Sequence, residues 1–295
     1  MSWSELQIAI VGGDERECEI ARLAAETGAT VRAYGFPLPD GGIPGVTQTP
    51  SAAEAMRDVR YALFPIPGLG AEGALYAPAI DEKIVPDQDL LRLLAAGAHV
   101  ILGTADDRLR AAAAVTGVAL HEYESDKELM LLRAPAIVEG ALALAIEATD
   151  VTIHGNEVGV VGHGNIGSLL ARSLVALGAR VHVFARNPVQ RAAASAAGAT
   201  PHALEELPET APRLVLLYST VPAPVVPSDV LARMVPESVV IDLAAPPGGV
   251  DLGAASEFGL KGIWARGLGS RAPVTVGASQ WHGIRRRIEA IKEEL

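Results

Sequence analysis

The residues best placed to do chemistry form one glycine-rich turn. The apolar run Val158-Gly159-Val160-Val161 is followed at once by Gly162-His163-Gly164-Asn165-Ile166-Gly167. A G-x-G-x-x-G between a strand and a helix suits a dinucleotide. The first glycine permits the tight turn, the second lets a pyrophosphate approach the backbone, and the third lets helix and strand pack closely. The helix N-terminus offers N–H groups and positive potential to the phosphates. His163, Asn165 and Ile166, inside the turn, are expected to line the pyrophosphate.

The end of the following strand selects the nucleotide. An NAD site carries an Asp or Glu about 20 residues on, to accept the ribose 2′-OH. Here the sequence reads Phe184-Ala185-Arg186-Asn187-Pro188, without a carboxylate. A guanidinium grips a 2′-phosphate bidentately where a carboxylate repels it. NADP is therefore the expected cofactor, with Arg186 and Asn187 at its phosphate. Ser219-Thr220-Val221-Pro222, after a later strand, is expected beside the nicotinamide. Gly12-Gly13-Asp14 follows the first strand, and Asp14 reads equally as a ligand contact or as a helix N-cap.

Other chemistries find little support. Seven histidines without metal-ligand spacing and a single cysteine make no zinc site, so no metal is expected. No G-x-S-x-G elbow is present, which disfavours a hydrolase. The catalytic acid–base group stays unassigned. An anionic substrate held away from water needs cations and hydroxyls around it. Lys127 and Arg133, with Ser125 beside them, are the candidates where the two halves of the chain meet; Thr104 and Thr220 would add hydroxyl donors.

These positions need a frame. At roughly 100–200 residues per domain, 295 residues predict two domains. Hydrophobic residues at 49% against 20% charged allow a sizeable core. Strand-like runs at 6–11, 30–34, 61–64 and 99–102 alternate with helical spacing at 15–26 and 87–96, and 36–50 reads as a loop. A helical stretch over 126–148, with Pro135 kinking it or opening its second part, leads to a second alternating series. Strands are expected there at 157–161, 180–184, 214–218, 239–243 and 262–265. The fold class is thus α/β: two Rossmann-like, doubly wound parallel-sheet domains with an interdomain cleft. The expected boundaries are 1–130 for a substrate-side domain and 131–277 for the NADP domain, with a helix at 278–295 returning to the first.

Charge and hydropathy narrow the partners. With 24 basic against 35 acidic residues the net charge is −11, which disfavours nucleic acid and anionic membrane. The apolar stretch Ala134–Ala148, broken by Glu139 and Glu147, is too short to span a bilayer. One cysteine and no signal peptide agree with a cytoplasmic location. An Ala-rich terminal region offers a surface for a homo-oligomer.

Short blocks along nearly the whole chain carry a resemblance. They are Ile8-Ala-Ile-Val-Gly-Gly-Asp14-Glu-Arg16, Gly35-Phe36, Glu139-Gly-Ala141 through Glu147, and Thr152-Ile-His154-Gly155. The glycine fingerprint with Ala185-Arg186, Ile241 through Asp251, and Ala265 through Pro273 continue the series. In order and spacing they resemble the family of dipicolinate synthase A subunits. More distantly, the chain is similar to 2-hydroxyacid dehydrogenases and adenosylhomocysteinase.

The resemblance implies an NADP-coupled enzyme of sporulation. It would form pyridine-2,6-dicarboxylate from a dihydro- or hydroxytetrahydro-dipicolinate precursor, in the mother-cell cytoplasm, with the flavoprotein-like B subunit of dipicolinate synthase as its partner. The connector Leu132-Arg133-Ala-Pro135-Ala-Ile137-Val-Glu139-Gly140 departs from the family's Asn-Ala-Ile-Pro-Thr-Ala-Glu-Gly. Ser219-Thr220-Val221-Pro222 and Gly267-Leu268-Gly269-Ser270 depart likewise. Two alternatives therefore stand beside the synthase: another NADP-dependent oxidoreductase of a small keto, imino or hydroxy acid, and a non-catalytic nucleotide-sensing subunit.

Overall fold

Apolar runs too short for helices become strands buried on both faces, and the amphipathic stretches between them become the helices that cover the sheets. The computed structural model describes residues 2–294. The chain divides into one unit of Met1–Arg133 with Ala272–Leu295 and a second of Ala134–Arg271.

The first unit holds β1 Gln7–Val11, β2 Thr30–Tyr34, β3 Val46–Gln48, β4 Tyr61–Leu63, β5 His99–Leu102 and β6 Ala119–Glu122. All pair in parallel, in the order β3-β2-β1-β4-β5-β6. The second unit holds β7 Glu157–Val161, β8 Arg180–Phe184, β9 Thr200–His202, β10 Leu216–Ser219, β11 Val239–Asp242 and β12 Lys261–Trp264. Its parallel order, β12-β11-β10-β7-β8-β9, is the same arrangement counted from the other edge. In each sheet the winding reverses between the first and fourth strands, which opens a crevice at their C-terminal ends. Central strands such as Ile8–Val11 and Leu216–Ser219 are wholly buried, as parallel strands covered on both sides must be.

Three strands lie where periodicity gives no signal. β3 falls inside the stretch 36–50 expected to be a loop, and β6 and β9 are likewise short. Each is an edge strand, and Pro201 in β9 withholds a ladder donor where no inner strand could spare one. The helix expected over 87–96 is confined to Gln88–Leu91, because the chain then turns back and Ala95 N–H donates to the Val59 carbonyl at 3.0 Å.

The long helix runs unbroken from Lys127 to Ala148, with Pro135 inside it. At 22 residues, with an 18-residue stretch of mean hydropathy 1.8, it is long and apolar enough to cross a membrane, in contrast to the shorter stretch read from the sequence. Part of its apolar surface is committed elsewhere: Leu129 packs against Gly283, and Val138, Ala141 and Ala145 enter the core of the second unit, while Leu131, Leu132 and Ile146 are exposed. Pro135 frees the carbonyl of Leu131, which sits at an exposed turn where water can satisfy it. The terminal helix Pro273–Glu293 lies on the helix Glu15–Glu26 in the first unit. A Cβ on Gly277 would come 2.5 Å from the Arg16 carbonyl, so glycine is what lets these helices approach.

Two histidines of the first unit give it a pH dependence. His99 Nδ1 and His121 Nε2 are 3.1 Å apart on β5 and β6, and His99 stacks on Tyr61. Burial pushes both imidazoles below their ordinary value, assisted at His99 by His121 and at His121 by Arg287. The unfolded chain binds protons near pH 6.5, and the folded chain does so only at lower pH. Their contribution is therefore complete above about pH 6.5 and is lost as pH falls through the lowered values. The buried Glu17 carboxyl, raised to about 7, acts in the opposite sense over the same range. The test is therefore a difference: between about pH 7.5 and 5.5 the urea midpoint of the wild type should fall further, or rise less, than that of His99→Gln. An equal change in the two proteins would remove the pair as a source.

Candidate functional site

The glycine turn forms because two of its three glycines have no room for a side chain. Gly162 leaves β7 at φ +93°, and a Cβ there would meet Thr220 Oγ1 at 2.5 Å. At Gly167 a Cβ would stand 2.3 Å from the Gly162 carbonyl oxygen, so the first turn of helix Asn165–Ala176 can lie directly on the strand end. Gly164 differs. A Cβ there meets nothing within 4 Å, and as N-cap Gly164 makes no side-chain capping bond. The first N–H groups of a helix have no intrahelical acceptor. An open space of one substituent's size before uncapped N–H groups is the seat a pyrophosphate requires.

The corresponding place in the first unit is filled by the chain itself. Gly13 N–H donates to the Tyr76 carbonyl at 2.6 Å, and Asp14 caps helix Glu15–Glu26. Glu17 completes the cap by accepting the Asp14 N–H at 2.7 Å, while Arg16 grips both Asp14 oxygens at 2.7 and 2.8 Å. Burial pushes the Glu17 carboxyl up to about 7, against the pull of Arg16. Two carboxylates and a guanidinium thus occupy the helix N-terminus. Of the two roles open to Asp14, the structure shows the N-cap.

At the end of β8, Arg186 is exposed and Asn187 caps the helix Pro188–Ala196 by accepting the Val189 N–H at 2.8 Å. The Asn187 amide nitrogen remains free to donate. Arg191, which sequence reasoning missed, donates from Nη1 to the carbonyls of Ala185 and Arg186, both at 2.8 Å. A second guanidinium therefore underlies the loop that carries the first. Its signal in the sequence is an arginine one helical turn after the cap.

At the ends of β10 and β11 the backbone is drawn into a tight pair of loops. Ser219 is fully buried with no partner for its hydroxyl, and Thr220 Oγ1 donates to the Val161 carbonyl at 3.1 Å. Val221 and Pro222 follow, half-buried and exposed. Asp242, also missed by sequence reasoning, is buried at the end of β11. It accepts N–H groups from Ala244 at 3.0 Å, Gly249 at 2.6 Å and Val250 at 3.2 Å. One carboxylate thus shapes the loop running from Ala244 to Gly249. His163 is buried with an unpartnered Nδ1, and burial lowers its proton affinity, so the imidazole is neutral.

The candidates of the first unit are spread more widely. Thr104 is exposed at the end of β5, and Ser125 and Lys127 are exposed around the start of the long helix. Arg133 is largely buried and bound to Glu124, with Nη1 at 3.0 Å and Nη2 at 2.5 Å. Its charge is already matched. Lys127 makes no ion pair among the described residues, and no group of three or more His, Cys, Asp or Glu side chains there is arranged to hold a metal.

Comparison with known proteins covers the whole architecture. Residues 7–124 match the family model described as the N-terminal domain of the dipicolinate synthase A subunit. Residues 136–246 match the D-isomer specific 2-hydroxyacid dehydrogenase, NAD binding domain. The dipicolinate synthase A subunit of Bacillus subtilis (strain 168) is 32% identical over 273 residues, covering 92% of each chain. The solved structure of the dipicolinate synthase A subunit from Bacillus halodurans superposes with a TM-score of 0.87 at 30% identity, over 95% of this chain and 97% of that one. A transhydrogenase from Sinorhizobium meliloti shares the fold, with a TM-score of 0.74 at 16% identity over 96% and 94% of the two chains.

Proposed function

Because the chain belongs to the family of dipicolinate synthase A subunits, we propose that it is an NADP-dependent oxidoreductase forming pyridine-2,6-dicarboxylate from a dihydro- or hydroxytetrahydro-dipicolinate precursor. The observation that carries this reading is the pairing of an open, uncapped cradle at Gly164 with a strand end that has guanidinium groups and no carboxylate. The second unit is then the dinucleotide domain, and the first supplies substrate contacts.

When bound, the oxidised nicotinamide supplies the hydride acceptor, and aromatisation of the ring supplies the driving force. The chain's own residues bind and orient. N–H groups of Asn165, Ile166 and Gly167 take the pyrophosphate, with His163 against it. Arg186 and the Asn187 amide take the 2′-phosphate, and Arg191 holds their loop in place. Ser219, Thr220, Val221 and Pro222 border the nicotinamide, with the Ser219 hydroxyl buried against Gly249. Lys127 and Arg133, with Thr104, Ser125 and Thr220, are proposed to receive the substrate carboxylates. A homo-oligomer, a flavoprotein-like B subunit as partner and a cytoplasmic site of action complete the reading; its support is the family's name, which implies a multi-subunit synthase, and the acidic composition.

One observation favours a second reading. Glu124 already neutralises Arg133, which leaves fewer free cations than a dicarboxylate calls for. A monocarboxylic keto, imino or hydroxy acid would need only Lys127. Absorbance of the reduced nicotinamide, followed with NADP and a panel of mono- and dicarboxylates, with and without the B subunit, separates the readings. Turnover of the dihydropyridine dicarboxylate alone is the expected result. Turnover of monocarboxylates alone would move the assignment to the second reading, and binding without turnover on any substrate would leave a nucleotide sensor.

A further inference from the structure

Arg266, at the C-terminal end of the second sheet, is a cation without an anion. It follows Ala265, whose N–H extends the β12 ladder by donating to the Asp242 carbonyl at 2.8 Å. The Arg266 side chain is exposed and makes no ion pair among the described residues. The basic side chains near it in the sequence differ: Lys261 faces Asp150 and Glu237, and Arg271 is bound to Glu139.

An aromatic face holds Arg266 instead. Its guanidinium carbon stands 5.5 Å from the centroid of the Trp264 ring, a cation–π contact. Stacking engages the flat face of a guanidinium and leaves the N–H groups at its edge free for a bidentate partner. The ring is itself fixed in place. Trp264 Nε1 donates to the Ala244 carbonyl at 3.0 Å, and a Cβ on Gly248 would stand 3.7 Å from the ring carbons. Trp264 therefore lies on the loop from Ala244 to Gly249 that Asp242 shapes. That loop leans in turn on the turn at 219–222: a Cβ on Gly249 would overlap Ser219 Oγ and come 2.6 Å from the Val221 carbonyl oxygen. Continuous packing thus connects the guanidinium with the residues assigned to the nicotinamide.

Strand order decides which end of a dinucleotide this cation serves. The glycine turn leaves β7, and Arg186 ends β8 beside it. On the other side of β7 come β10, β11 and then β12. At about 4.8 Å per strand, β12 stands roughly 19 Å from β8. Two cations so far apart do not share one phosphate. A dinucleotide with its 2′-phosphate at β8 crosses the point where the winding reverses and directs its nicotinamide toward β10 and β11. Arg266 then stands on the far side of the nicotinamide, where a substrate has to be held.

We propose that Arg266, seated on Trp264, receives a carboxylate of the substrate. The assignment rests on the dinucleotide reading above, and it puts a substrate cation on the second unit in addition to the candidates of the first. It asks for a carboxylate only; a pyridine ring bearing two and a keto acid bearing one both offer it.

The test is calorimetric titration of the full-length, NADP-loaded protein with pyridine-2,6-dicarboxylate, pyridine-2-carboxylate and pyruvate. Arg266→Gln removes the charge at an exposed position. It should weaken whichever acid the wild type binds by about tenfold to a hundredfold, the loss of a charge-assisted bidentate contact. NADP(H) affinity should stay within about twofold, as for separate sites. Arg266→Lys keeps the charge without the fork and should fall between the two proteins. Equal acid affinity in the wild type and Arg266→Gln overturns the proposal. So does a loss of NADP(H) affinity as large as that for the acid, which would make Arg266 a support for the loop. Binding of the monocarboxylates alone would change the substrate reading, and the same comparison made on that acid still decides the role of Arg266. If NADP binds and no acid does, the proposal is overturned while the nucleotide reading stands. If NADP does not bind, both fall.

Discussion

Gly164→Asp is expected to abolish dinucleotide binding while leaving the protein at least as stable as before. The backbone at Gly164, φ −85° and ψ −158°, is one that any L-residue adopts, and a Cβ there meets nothing within 4 Å. An Asp at an N-cap accepts helix N–H groups and favours the positive helix end, worth a few tenths to about 1 kcal/mol. The same carboxylate would sit where the pyrophosphate belongs. It would replace charge-assisted hydrogen bonds worth about 1.5–3 kcal/mol each with repulsion between like charges. Affinity for NADP(H) and NAD(H) should both fall by at least roughly a hundredfold. Thermal unfolding and fluorescence titration read the two effects separately. Retained binding would mean that the turn is only a tight connection, and a sharp loss of Tm would mean that Gly164 is needed for the fold.

Arg186→Asp should reverse the cofactor preference and spare the cradle. The residue is exposed at the end of β8, so its replacement disturbs no packing. It exchanges a cation that grips a 2′-phosphate for an anion that accepts a ribose 2′-OH. NADP(H) should weaken by about a hundredfold, the loss of a bidentate charge-assisted contact plus a repelling charge, while NAD(H) stays within a few-fold or tightens. Arg191 remains in the variant and limits the loss. Titration of the wild type with both cofactors sets the baseline. Tighter NAD(H) than NADP(H) binding in the wild type would sink the NADP assignment before any variant is made.

The parts of this architecture legible in the sequence are those with a strong local cause. The inner strands read as apolar runs, and helix Glu15–Glu26 begins at an Asp with a Glu three residues on. The G-x-G-x-x-G announces two steric demands that the structure shows at Gly162 and Gly167. What escaped has a non-local cause. Edge strands of three or four residues such as Val46–Gln48 and Thr200–His202 exist because a finished sheet offers them a partner. Asp242 looks like any strand-end acid until the loop from Ala244 to Gly249 folds back onto it. Arg191 reads as a solvated helix residue, and its role depends on two carbonyls five and six positions earlier. Arg133 shows the opposite hazard. A cation at a suggestive place in the sequence proves to have its own carboxylate in Glu124.

The terminal helix has a consequence for biosynthesis. Pro273–Glu293 completes the unit to which the first 133 residues belong, and its glycines sit against Arg16 and Leu129. The second unit is contiguous and needs nothing from the end of the chain to close its sheet. On a ribosome the segment translated first is therefore the one that finishes last. Its helix Glu15–Glu26 stays without its covering partner until residues 273–293 have been made, while the segment 134–271 is already free to fold as a unit. Removing residues 273–293 would damage the unit built on residues 2–133.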